Sequence, residues 1–335
     1  MKILRHVAIA LAALVCACSP REEAADPAAG AEGLTTIRFA TDWRAQAEHG
    51  GFYQALATGE YEKRGLKVEI VQGGPGVNVP QLLASGAVDM GMGSNSFIVL
   101  NLAQEKVPVT AVAAFMQKDP QVLIAHPDQG IETIADLKGH PILLSDASVT
   151  AFWVWLKAKY GFSDDQVRKY TFNSAPFLAD KRVAQQGYVT SEPYTIEKEA
   201  GFAPKVFLLA DYGYPGYATM VLARNPLIAE NPEAVRAFVE ATAAGWRSYL
   251  HGDASAADAL IRADNPEMSQ DVLDQAREKL KSYEIVEGAH PDQLGLMTDE
   301  RWAEFYQMAR DQGVYPADMD YRSAYTLDFV QPAQP

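Results

Sequence analysis

The stretch TTIRFATDWRAQAEHGGFYQALATGEYEKRGLKVEIV, residues 35–71, decides the fold. Thr35 to Ala40 has the β-branched, apolar character of a short strand. A helix is expected from His49 to Arg64, closed by Gly65, and Leu66 to Val71 reads as the next strand. Strand, helix and strand in this order are the building block of a parallel sheet. The turn between the first strand and its helix carries Asp42, Trp43 and His49, with Tyr53 just inside the helix. In open α/β sheets, ligands sit beyond the carboxyl ends of the strands. These four residues are therefore candidate ligand contacts, and Gly50 and Gly51 are expected to leave room for a ligand near the helix start.

The same rhythm continues outward. Asn78 to Ser85 reads as a helix, Ala87 to Gly91 as a strand, Asn95 to Glu105 as a helix and Val107 to Phe115 as a buried strand. It restarts after Gln121 to His126, with strands at Pro141 to Leu144, Tyr170 to Asn173, Gly187 to Thr190 and Val206 to Leu209, and a helix near Ser148 to Tyr160. YPGYATMVLARN, residues 214–225, looks like a returning strand. Asn231-Pro232-Glu233 then opens a helix with an apolar stripe of Val235, Phe238, Val239, Ala243, Trp246 and Leu250. Two alternating segments joined by two extended crossings predict two α/β lobes with a cleft between them. The boundaries are expected at 34–123 and 223–335 for lobe I and 124–222 for lobe II.

Lys2 and Arg5, the apolar run from Val7 to Val15 and the small residues around Cys16 to Cys18 read as an export signal over 1–17. The order Val15-Cys16-Ala17-Cys18 resembles a lipobox, which would make Cys18 the lipidated first residue of the mature chain; an ordinary secretory signal is the alternative. SPREEAADPAAGAEG, residues 19–33, has the composition of a flexible tether that would begin at Cys18. The chain has two cysteines, both in the leader region, so the expected mature fold holds no disulfide, thiolate metal site or cysteine nucleophile. A formal net charge of −14 argues against nucleic acid as a partner. The six histidines show no metal-ligand spacing, and no nucleophile elbow appears. No cofactor, no metal and no catalytic residue are expected.

The segment DW with its following histidine and GFYQALATGEYEKRGLKVEIVQGG (51–74), then PQLLASGAVDMGMGS (80–94), IADLKGHPI (134–142) and NPEAVRAFVEAT (231–242), carries a family resemblance. It resembles the periplasmic substrate-binding proteins of ABC transporters in the family shared with thiamine-pyrimidine synthases. The DW and H-x-GFY opening is most similar to the branch that handles the thiamine pyrimidine precursor. The resemblance implies a type II periplasmic-binding-protein fold whose two lobes close on a small molecule, and a monomer that delivers it to a membrane permease and its ATPase. It further implies a place for Glu192, which matches a glutamate of the pyrimidine-binding branch. The fungal synthases of this branch carry a cysteine-rich run where this chain has Tyr214-Pro215-Gly216-Tyr217, so the resemblance favours transport over synthesis.

An aminopyrimidine is flat and presents exocyclic N–H donors, so its site needs aromatic faces and carboxylate acceptors. Asp42 and Glu192 are the acceptor candidates; each also reads as a helix-terminal charge. Trp43, Tyr53, Tyr188 and Tyr194 are the candidate faces, with core packing the other reading of Tyr53. Ser94, Asn95 and Ser145 stand at equivalent strand-to-helix turns, where N-capping and ligand contact read alike. A riboflavin-like heterocycle would suit the same tyrosines. A sulfonate or nitrate would rely on an arginine, for which Arg44 and Arg182 are candidates, or on several backbone and hydroxyl donors. A sensor that docks on a signalling partner is the remaining alternative to an importer component.

Overall fold

The structure is a computed structural model and describes residues 33–288, 292 and 294–330. The expected leader, Cys18 and all of the tether but Gly33 lie outside the described residues.

Among the described residues, ten strands form two mixed sheets. The first contains β1 (Thr35–Ala40), β2 (Leu66–Val71), β3 (Met90–Asn95), β4 (Val109–Met116) and the late strand β10 (Ala218–Arg224), in the order β2-β1-β3-β10-β4. The second contains β5 (Gln121–Ala125), β6 (Ile142–Leu144), β7 (Val167–Lys169), β8 (Ala184–Tyr188) and β9 (Lys205–Leu208), in the order β7-β6-β8-β5-β9. The two orders are the same pattern. In each sheet one strand runs against its neighbours: β10 against β3 and β4, and β5 against β8 and β9. That strand is the one by which the chain arrives from the other sheet. Ladder hydrogen bonds bind a strand along its whole length. The crossings therefore lie at 117–120 and 209–217, a few residues before the expected boundaries, which fall inside β5 and β10.

The helices are α1 (Gly50–Ala57), α2 (Val79–Ser85), α3 (Ser96–Gln104), α4 (Asp146–Val149), α5 (Phe152–Tyr160), α6 (Ala175–Ala179), α7 (Glu192–Ala200), α8 (Asn225–Glu230), α9 (Pro232–His251), α10 (Ser255–Asp264), α11 (Gln270–Ser282) and α12 (Asp299–Asp311). The helix expected over 49–64 ends at Ala57, because Gly59 takes a φ of +69° and turns the chain out of it. The strand expected over 170–173 is absent. β7 stops at Lys169, opposite Leu144, and Phe172 has a φ of +58°, which no strand accommodates. The helix expected over 148–160 is split, with Ala151 out of helical conformation (φ −118°, ψ −114°) between α4 and α5.

Lobe I is built on the contact between α1 and α9. Val235, Phe238, Val239, Trp246 and Leu250 of the expected stripe are buried, and Ala243 borders them. The ring of Phe238 meets Phe39 at 5.0 Å and stacks on Tyr61 at 5.1 Å. Each such side chain contributes about 1.5–3 kcal/mol of burial. A Cβ on Gly50 would lie 2.1 Å from the Tyr249 ring, and one on Gly51 would lie 2.2 Å from the Trp246 ring. The glycines thus leave room for α9 and not, as the sequence suggests, for a ligand.

Both crossings are held by one side chain. Arg301, on α12, donates from Nη2 to the carbonyls of Gln117 and Gly216 and from Nε to that of Pro215. Its guanidinium also lies over the Tyr217 ring, 4.0 Å from the centroid. Asp119, in the first crossing, is buried and accepts the Gln121 N–H at 3.0 Å. Burial pushes its carboxyl up to about 7, against the opposing effects of that bond and of the nearby Arg301 charge.

Two outcomes are expected. Gly51→Ala should lower stability by about 1–3 kcal/mol in denaturant titration, because the new methyl must displace Trp246. Asp119→Asn keeps the acceptor and removes the charge. A carboxyl raised in the folded state loses stability as pH climbs from the unfolded to the folded pKa. Thermal melts should therefore show the variant gaining on the wild type from about pH 4 to about pH 7, by at most about 4 kcal/mol, with a constant gain above that. A gain independent of pH would contradict it.

Candidate functional site

The turns after β1, β3 and β8 bring together residues that are far apart in sequence. Asp42 follows β1 and is half-buried. Its Oδ2 accepts the hydroxyl of Ser94, in β3, and its Oδ1 lies 3.2 Å from His49 Nε2. His49 is fully buried behind Asp42 with Nδ1 unpartnered, so it meets the cleft through that carboxylate. Trp43 projects from the same turn and touches Phe172 of lobe II, ring centroids 4.9 Å apart.

On the lobe II side, Glu192 opens α7 and folds back on the end of β8. Its Oε2 accepts the Tyr188 N–H at 2.8 Å, and the Tyr170 hydroxyl stands 3.5 Å from Oε1. Burial pushes the Glu192 carboxyl up, partly offset by the Tyr188 N–H. Tyr188, half-buried at the end of β8, has its phenol pushed well above its ordinary value. The first cause is burial, followed by the negative charges of Asp119, Asp42, Glu48 and Glu192. Tyr188 is thus the common neighbour of carboxylates from both lobes and from a crossing. Arg301, the cation beside Asp119, is committed to three carbonyls, and the imidazole of His49 is bonded to Asp42.

The lobes meet directly around this cluster. Glu48, in the turn of helix before α1, is 3% exposed and accepts the hydroxyl of Thr190 from lobe II. Burial pushes its carboxyl up; the Thr190 bond opposes this. Gln275 of α11 donates to the Thr190 carbonyl. Tyr194 and Lys198 of α7 both bond Asp271 of α11, Tyr194 at 2.8 Å. The Lys198 ammonium, with the Ser269 and Tyr194 hydroxyls, holds the Asp271 carboxyl far below the ordinary carboxylate range.

Of the residues singled out from sequence, Asp42, Trp43, Ser94, Tyr188 and Glu192 face one another across the cleft or bond those that do. Tyr194 belongs to the contact between lobes. Tyr53 is buried in the lobe I core with its hydroxyl 2.7 Å from Asp264. Asn95 is committed to capping α3, accepting from Phe97 and Ile98 N–H. Ser145 caps α4, and its N–H donates to Gln186. Arg44 and Arg182, the candidates for an anion, are exposed and paired with Glu267 and Asp180. Glu48, Asp119, Tyr170, Phe172 and Thr190 were not legible as site residues. Glu48 reads as an ordinary first-turn charge, and Tyr170 and Phe172 read as strand. Among the described residues no cluster of metal-ligating side chains occurs, and no helix is long and apolar enough to cross a membrane.

Comparison with known proteins supplies the lineage. The formylaminopyrimidine-binding protein of Halalkalibacterium halodurans is 24% identical over 310 residues, covering 91% of this chain and 92% of the relative. The riboflavin-binding protein RibY of Chloroflexus aurantiacus is 27% identical over 334 residues, covering 95% and 94%. The periplasmic aliphatic sulphonate binding protein SsuA from Escherichia coli superposes with a TM-score of 0.65 at 16% identity, over 90% of this chain and 95% of that one. That likeness confirms the two-lobed periplasmic-binding-protein fold. A family model described as NMT1/THI5 like matches residues 46–255, more than half of the sequence, and the chain belongs to the NMT1/THI5-like family.

Proposed function

We propose that the chain is the solute-binding component of an ABC importer and captures a flat, N–H-bearing heterocycle, a thiamine-type aminopyrimidine, between its lobes. The observation that carries this reading is that carboxylates from both lobes, Asp42 and Glu192, act on Tyr188, and that the nearby Arg301 is already bonded to three carbonyls. A carboxylate is acceptor-only and takes hydrogen bonds from amino and ring N–H groups. The same carboxylates repel a sulfonate or nitrate, so ligand charge separates this site from an anion site despite the shared fold. Trp43 and Tyr188 offer aromatic faces for the ring. The similarity to a formylaminopyrimidine-binding protein supports the same chemistry.

Capture works by population shift. A ligand that contacts both Asp42 and Glu192 makes all its bonds only when the lobes are shut, and so favours the shut form. Glu48 to Thr190, Gln275 to Thr190 and Asp271 to Tyr194 and Lys198 would then hold that form for presentation to a permease. No step of chemistry is required of the site: it is a binding protein and not an enzyme. Export, lipidation at Cys18 and action as a monomer at the membrane surface complete the proposal, supported by the leader-like sequence of residues 1–18. A flavin is the second reading, favoured by the 27% identity to RibY and by the flat, N–H-bearing isoalloxazine ring.

Calorimetric titration with formylaminopyrimidine, riboflavin and taurine tests this. Formylaminopyrimidine is expected to bind, and Asp42→Asn and Glu192→Gln should each weaken it by about 1.5–3 kcal/mol, roughly tenfold to a hundredfold, by replacing a charged acceptor. Taurine should not bind. Tight taurine binding, or pyrimidine binding that ignores both variants, would overturn the site chemistry; riboflavin binding alone would establish the second reading.

A further inference from the structure

The loop between β7 and α6, residues 170–174, carries an unusual residue. Among the described residues five non-glycine positions have positive φ, and Phe172, at +58°, is the one aromatic. A bulky side chain there is a backbone outlier that persists only where its surroundings fix it. The core does not fix it: Phe172 is 54% exposed. The aromatic rings against it are Trp43, from the other lobe, at 4.9 Å and Tyr170 at 5.3 Å. Tyr170 in turn stands beside Glu192, and Trp43 follows Asp42 directly in the chain. The strained loop therefore reaches across the cleft, its neighbours being Trp43, next to Asp42 in the chain, and Tyr170, beside Glu192.

We propose that Phe172 is a specificity-determining gate, which closes with Trp43 over a planar ring bound between Asp42 and Glu192 and slows its escape. The proposal rests on the heterocycle reading above and adds to it the residue that retains the ligand. The Trp43 contact exists only when the lobes approach, so opening the lobes frees the loop and closing them sets it. Two aromatic surfaces favour a flat ring and gain nothing from a small aliphatic anion. The device explains why an exposed phenylalanine stands where glycine or asparagine would suit the backbone better.

Tryptophan fluorescence tests the contact in the shut form. Trp153, Trp155, Trp246 and Trp302 are buried, which leaves Trp43 as the tryptophan that acrylamide can reach. Trp43→Phe identifies its signal. With the lobes shut on formylaminopyrimidine or riboflavin, Phe172→Ala and Phe172→Gly should both increase quenching of Trp43; the glycine variant keeps the backbone conformation without strain and serves as the folding control. In stopped flow, both should release formylaminopyrimidine about threefold to tenfold faster than the wild type, the worth of one aromatic pair. Unchanged quenching, or an unchanged release rate in a wild type that binds, would overturn the gate. If the wild type binds neither formylaminopyrimidine nor riboflavin, the heterocycle reading fails, and the gate's role in retaining such a ring fails with it.

Discussion

The grip of Arg301 on both chain crossings is the constraint on which the rest of the structure depends. One guanidinium satisfies the carbonyls of Gln117, Pro215 and Gly216 and lies on the Tyr217 ring. Buried carbonyls left without partners would each cost about 1–3 kcal/mol, so the crossings have one favourable arrangement. Because each crossing feeds the reversed strand of a sheet, holding the crossings together sets the point about which the two lobes approach each other. Asp119, beside the same arginine, ties that geometry to the charge of the cleft.

From that frame the electrostatics of the cleft follow. Folding places Asp42, Glu48, Asp119 and Glu192 around Tyr188, and burial raises the carboxyls of Glu48, Asp119 and Glu192. The repulsion between Glu48 of lobe I and Glu192 of lobe II opposes closure, and on the proposed reading an N–H-bearing ring that bonds the cleft carboxylates relieves it. The polar contacts between lobes, Glu48 with Thr190 and Asp271 with Tyr194 and Lys198, set the reach of the closed form. On the proposed reading, selectivity against anions and capture by closure are two results of one charge arrangement.

The alternation of strand and helix was legible because apolar periodicity and turn residues act locally. The α9 stripe reads from spacing alone, and five of its six residues are buried. Asp42 and Trp43 stand out in the sequence by their place after a strand, and Glu192 by its place after a strand and by the family resemblance, whereas Tyr188 reads as mid-strand. Long-range relations were not legible. Nothing near Gly50 and Gly51 announces Tyr249 and Trp246, two hundred residues on, as the reason for two glycines. Phe172 was hidden by its own propensity: an aromatic between Tyr170 and Asn173 reads as strand, while tertiary contact holds it in a left-handed turn. Glu48 was hidden because its partner, Thr190, comes from the other lobe.

The most direct measurement is a crystal structure of the protein grown with formylaminopyrimidine. The expected result is the pyrimidine ring in the cleft beside Tyr188, its N–H groups within hydrogen-bond distance of the Asp42 and Glu192 carboxylates. A ring bound outside the cleft, or inside it without contact to either carboxylate, would contradict the assignment of this site.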